Sequence, residues 1–80
     1  MKAQEAVVLR IRGLCKDKNM KISQLAYAAG MPPSTLKNIM KGNSKNTGIV
    51  TIKMICDGLE VSLDDFFHCG LFRDLEQEID

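Results

Sequence analysis

No stretch of this sequence holds the roughly 18 consecutive apolar residues that a bilayer-crossing helix needs. The start, Met1-Lys2-Ala3-Gln4-Glu5, has no apolar segment of the kind that drives secretion. Both absences argue against a membrane or secretory setting, so the chain is expected in the cytoplasm. Tryptophan is missing, proline occurs only at Pro32 and Pro33, and the single histidine is His68. With no low-complexity tract and no internal repeat, nothing reads as a linker between two domains. The three cysteines, Cys15, Cys56 and Cys69, are odd in number and widely spaced, which does not make a disulfide framework. In a reducing compartment they act as small apolar residues with free thiols. Cys15, Cys56, His68 and Cys69 lack the usual spacing of zinc ligands, so no metal or cofactor is expected. His68 and Cys69 are neighbours, and neighbours on a helix diverge by about 100°, which makes them a poor nucleophile–base pair. The chain is therefore not expected to be an enzyme, and no small-molecule substrate suggests itself.

What is present is one domain's worth of chain, 80 residues of which 45% are hydrophobic. A chain this short buries a modest core and is marginally stable without a partner or a staple. Its net charge of +1 conceals an uneven distribution. Residues 1–53 carry ten Lys or Arg against two acids, Glu5 and Asp17, whereas residues 54–80 carry Arg73 against eight acids. The split has two readings: a half that faces a polyanion with a half kept away from it, or a chance clustering of solvated charges.

Hydrophobic spacing predicts an all-α chain. Val7, Val8, Ile11, Leu14 and Cys15 share one face of a helix from about Glu5 to Lys18, and Asn19 suits its left-handed end. A short helix over about Lys21–Ala29 buries Ile22, Leu25 and Ala26 and stops at Gly30, where positive φ carries no Cβ clash. Its start is weakly marked, because Lys21 is a poor N-cap. A third helix opens at Pro33, a favoured first position, turns Leu36, Ile39 and Met40 inward and stops at Gly42. Residues 43–48 are polar and read as a loop. A fourth helix covers about Ile49–Leu59, with Ile52, Ile55, Cys56 and Leu59 on one face; Ile49-Val50-Thr51-Ile52 has strand-like composition but lacks alternation. Gly58 inside that helix is unfavourable by ~1 kcal/mol relative to Ala and suggests a close helix contact. Ser62-Leu63-Asp64-Asp65 resembles a capping box before Leu63, Phe66 and Phe67. Leu71, Leu75 and Ile79 at four-residue steps allow a short C-terminal extra helix. Met1, Met20, Met31, Met40 and Met54 are expected as core filler.

The segment from Lys21 to Gly42, KISQLAYAAGMPPSTLKNIMKG, places Leu25-Ala26, Gly30, Ser34-Thr35 and Ile39 at the spacing of a short helix, a glycine turn and a second short helix. It resembles the Cro/C1-type, or XRE-family, helix-turn-helix regulators of bacteria and phages. Ile11 and Leu14 match that family's first helix; Thr51-Ile52, Ile55 and Leu59 match its fourth. Val61-Ser62-Leu63-Asp64-Asp65-Phe66-Phe67 is similar to its closing segment. About residues 8–67 are covered. The resemblance implies a five-helix, lambda repressor-like bundle as a single DNA-binding domain over 1–80, with a core at about 5–69 and a tail at 70–80.

The resemblance also implies a recognition helix at about Pro33–Met40, sized for a major groove ~12 Å wide. Carried over by position, Pro33, Ser34, Thr35, Lys37 and Asn38 meet base edges or adjoining phosphates. Asn38 matches the N6/N7 edge of adenine, and Lys37 suits guanine or a phosphate. Lys41, Asn43, Ser44, Lys45 and Asn46 suit phosphates. Backbone N–H groups at the start of the second helix suit one as well. Lys21 and Ile22 stand where the family often has a Ser or Thr cap followed by Gln, so Ile22 touches a thymine methyl or packs inward. Pro32 and Pro33 replace the usual polar pair at the head of the recognition helix, which shifts weight toward shape readout. For Ser34 and Thr35 helix capping stands as an alternative or a second role; for Lys37, Lys41 and Asn38 the alternative is an ordinary solvated surface.

The function implied is a transcriptional regulator, a repressor by preference, that binds double-stranded DNA as a homodimer. Phe66, Phe67, Leu71, Phe72, Leu75 and Ile79 are candidates either for dimer contacts or for the intramolecular core. The rival reading is a protein-interaction module of the same fold, such as an antitoxin or anti-regulator, favoured by the acidic, apolar C-terminal part.

Overall fold

The computed structural model of the chain describes residues 1–43 and 46–78. Five α-helices follow one another: α1 (Ala3–Asp17), α2 (Ile22–Ala29), α3 (Pro33–Met40), α4 (Ile49–Leu59) and α5 (Leu63–Phe67), before a 3₁₀ turn at Gly70–Phe72. Among the described residues there is no strand, and Ile49-Val50-Thr51-Ile52 is helical throughout.

The first four helices end alike, and the reason lies in the residue after each last turn. Asn19, Gly30, Gly42 and Glu60 all have positive φ, between 53° and 81°. In each case the following N–H reaches back five residues. Met20 donates to the Cys15 carbonyl at 2.8 Å, Met31 to Ala26 at 3.0 Å, Asn43 to Asn38 at 3.1 Å and Val61 to Cys56 at 3.0 Å. This is the Schellman closure, which satisfies carbonyls that the helix leaves without partners. Met20, Met31 and Val61, the residues just past three of these turns, fold onto the core, so each turn also redirects the chain inward. Glycine meets the left-handed conformation at Gly30 and Gly42 at no steric cost, and Asn19 tolerates it; Glu60 adopts it against its preference.

Ile11, Leu25, Leu36, Ile55, Cys56, Leu59 and Phe66 are essentially sealed from solvent and join the helices into one core cluster. Helix α2 packs chiefly on α4. Gly58 makes that approach possible: a Cβ at this position would stand 3.0 Å from the Ala29 nitrogen and 3.0 Å from Leu25 Cδ1. Helix α5 starts at Ser62, whose Oγ accepts the Asp65 N–H at 3.0 Å. Its other end is held from α1. Arg10 donates Nε to the Phe66 carbonyl and Nη2 to the Asp65 carbonyl, both at 2.7 Å. A guanidinium on two terminal carbonyls complements the negative end of the helix.

The C-terminal extra helix expected over Leu71–Ile79 does not form within the described residues; the chain makes a single 3₁₀ turn and then runs irregularly to residue 78. Two features account for this. Phe72 turns back onto Phe67 and Phe66, with ring centroids 5.0 and 6.1 Å away. The Glu76 N–H donates to the Met1 carbonyl at 3.0 Å, and the Glu76 carboxylate pairs with the Met1 ammonium at 2.8 Å. These tertiary contacts hold the backbone in a non-helical course. Asp74, Glu76 and Glu78 would also crowd acids toward the negative end of such a helix. Phe66 is core, with no exposed surface; Phe67, Leu71, Phe72 and Leu75 are half-buried, and Ile79 lies outside the described residues.

Candidate nucleic-acid interface

Helix α3 is eight residues long and has two unlike sides. Leu36 and Ile39 are buried and Met40 half-buried, which fixes the rotation of the helix about its axis. Pro33, Ser34, Thr35, Lys37 and Asn38 are exposed on the other side, and Lys41 and Asn43 continue that surface past its end. The helix is entered from Pro32, at φ −61° and ψ 140°; the N–H groups of Thr35 and Leu36 both point to the Pro32 carbonyl. No side chain caps this start. The Ser34 and Thr35 hydroxyls therefore do not serve as its caps and stay on the solvent side.

Helix α2 starts at Ile22, directly after Lys21. Gln24 reaches back to accept the Lys21 N–H at 2.8 Å. That is half of a capping box; the other half needs an acceptor on the N-cap side chain, and an ammonium has none. The side chain of Lys21 is exposed, and Ile22 is half-buried and packs against the core, the inward option of the two open to it. Ser44 and Lys45 lie outside the described residues.

Some basic side chains are engaged within the fold. Arg10 is spent on the carbonyls of α5, and Lys53 pairs with Asp57 along α4. Lys2 Nζ stands 3.8 Å from a Glu78 carboxylate oxygen. Among the described residues Lys21, Lys37 and Lys41 enter no ion pair. A cleft of about 280 Å³ runs beside α3, lined by Thr35, Asn38, Ile39, Asn46, Thr47 and Thr51. Thr47, with no role read from the sequence, is gripped by Gln4 of α1: the Gln4 amide donates to Thr47 Oγ1 at 2.7 Å and accepts the Thr47 N–H at 2.9 Å. A pairing across 43 residues leaves no local signature in the sequence. A larger groove, about 540 Å³, is lined by Val8, Leu9 and Met40 together with Lys2, Glu5 and Lys41.

Cys15 and Cys56 are buried, and burial pushes both thiols above their ordinary range. No described helix is long and apolar enough to cross a membrane.

The profile of the Cro/C1-type helix-turn-helix DNA-binding domain matches residues 10–69. The solved restriction-modification controller protein C.Esp1396I is similar at 31% identity, over 80% of this chain and 81% of that one, with a TM-score of 0.73. The prophage Lp1 protein 11 is similar at 32% identity, over 94% of this chain and all of that one (100%), with a TM-score of 0.80. No curated protein matches the sequence.

Proposed function

Because this chain belongs to the Cro/C1-type helix-turn-helix DNA-binding family, we propose that it is a sequence-specific transcriptional regulator, acting as a repressor on an operator in double-stranded DNA. The observation that carries this reading is the division of α3. Leu36 and Ile39 anchor it while Pro33, Ser34, Thr35, Lys37 and Asn38 remain exposed and uncommitted. A helix so held can lie in a major groove with its first turns at the base edges. Asn38 is assigned to a base, Lys37 to guanine or a phosphate, and Lys41, Asn43, Ser44 and Lys45 to phosphates. Lys21 and the uncapped N–H groups at the start of α2 suit a further phosphate, while Ile22 keeps only its exposed part for a methyl contact.

The whole chain acts in this reading as one DNA-binding domain, with a core at about 5–69 and a tail at 70–80. It performs no chemistry of its own, requires no cofactor and works in the cytoplasm. One short module offers limited affinity, so the working form is a homodimer on a two-fold symmetric operator with half-sites about 34 Å apart. The likeness to a protein described as a restriction-modification controller supports a regulatory role. A second reading, an antitoxin or anti-regulator that grips a protein, is favoured by the exposed apolar side chains of Tyr27, Ile49 and Val50. Selection of bound sequences from random duplex DNA at about 0.15 M salt separates the two. A recovered motif with two-fold symmetry is expected; failure to enrich any sequence would remove the operator reading and leave the protein-binding one.

A further inference from the structure

Gln4 stands on the first turn of α1, far in sequence from the helix-turn-helix, yet both ends of its amide are committed to Thr47. The arrangement is chemically directional. The Thr47 N–H is a donor only, so the amide oxygen must face it, and the amide nitrogen then faces the hydroxyl. Because Thr47 Oγ1 accepts from Gln4, its own proton is turned away from α1. The residue lines the cleft beside α3 with the hydroxyl- and amide-bearing Thr35, Asn38 and Thr51, where a DNA phosphate oxygen is the natural acceptor if α3 enters the groove. Both partners are half-buried, so water competes less for these bonds than on an open surface.

We propose that Gln4 is a positioning residue for DNA binding. By holding Thr47 at two points it sets the segment Asn46-Thr47-Gly48 against α3 and aims the Thr47 hydroxyl at the sugar–phosphate backbone. This inference rests on the DNA-binding reading above and adds to it a residue outside the motif. The role is one of orientation, and the effect is on affinity for any duplex rather than on base preference.

The test uses the full chain, an operator duplex recovered by the selection and a scrambled duplex, with Lys41→Ala as a control for phosphate contacts. Gln4→Met keeps the bulk of the side chain and removes both hydrogen bonds. Per folded molecule it should bind both duplexes about five- to tenfold more weakly, as expected for the loss of one or two net hydrogen bonds. The preference between the duplexes should be unchanged. Thr47→Val removes the hydroxyl from the other side, and the double variant should bind no more weakly than the weaker single one, because the two act as a unit. Thr47→Ser keeps both groups and should stay within about twofold of the parent. Should Gln4→Met lower the folded population, Thr47→Val carries the same expectation from the loop side. If Lys41→Ala weakens binding while Gln4→Met lowers only the melting temperature, or if the Gln4 and Thr47 effects add, Gln4 is structural and the inference is overturned alone. If the parent chain binds neither duplex, the inference and the DNA-binding reading are overturned together.

Discussion

Single side chains on α3 divide by what they can recognise. Asn38 is exposed and carries an amide that matches adenine, whereas Lys41 offers a point charge at the end of the helix. Asn38→Ala should therefore cost about 1–3 kcal/mol at one base pair and relax preference there, as read by a binding competition over single-base operator variants. Lys41→Ala should weaken binding to every duplex and lower the slope of log K against log salt by about one unit. Swapped outcomes would mean that the helix docks with a different face. In the core, Gly58 gives the sharpest contrast of sign. Helix propensity alone predicts that Gly58→Ala stabilises by ~1 kcal/mol. The contact with the Ala29 backbone at 3.0 Å leaves no such room. A net loss of about 1–3 kcal/mol is expected from urea unfolding, because backbone cannot step aside as a flexible side chain can.

Among the elements, the helix ends decide how the chain turns, and Glu60 is the one that pays a steric penalty for its turn. It sits at φ 59° and ψ 41° after α4, between a helix that packs on α2 and the Ser62 cap of α5. Glu60→Gly should raise the unfolding free energy by about 1 kcal/mol, since a Cβ in the left-handed region costs about that much. No gain in thermal or chemical unfolding would indicate that the glutamate is compensated elsewhere. The elements also show where sequence reasoning holds and where it fails. Pro33–Met40 and Ile49–Leu59 are the helices that spacing and the flanking Pro and Gly predict. The start of α2, weakly marked by Lys21, is supported by Gln24 reaching back three residues. The tail shows the apolar period of a helix but is drawn off by Phe72 on its aromatic neighbours and by Glu76 on Met1.

At the scale of the whole molecule, the core contains two thiols whose protonation is tied to folding. Cys15 and Cys56 are held above the ordinary thiol value of 9.0, mainly by desolvation. The folded state thus retains thiol protons that the unfolded chain gives up, and the stability tied to them is complete below pH 9.0. It declines as pH rises through the shifted folded values. Unfolding free energy should fall on the alkaline side, and Cys56→Ala should flatten that decline; an unchanged profile would locate the alkaline transition elsewhere. Alkylation at neutral pH should label Cys69, half-buried, ahead of both core thiols. Assembly is also a property of this scale. Sedimentation on a symmetric operator should find two chains per duplex, with one chain per duplex counting against the dimer. Because Phe66 is sealed inside the fold, it is not available to the dimer proposed above, whereas Phe67, Leu71 and Leu75 are half-buried.

By itself the sequence determined the helical class, the order of the five helices, the glycine turn at Gly30 and the polar outer face of α3. Each of these depends on residues within about one or two helical turns of one another, so spacing and local backbone preference are enough. Only the tertiary structure decided that Arg10 closes α5, that Gln4 grips Thr47, that Gly58 is where α4 meets α2, and that the tail folds back instead of coiling. Those are contacts between residues far apart along the chain, and hydrogen bonds and close packing form wherever the folded backbone brings two groups together, a distance that no local pattern records.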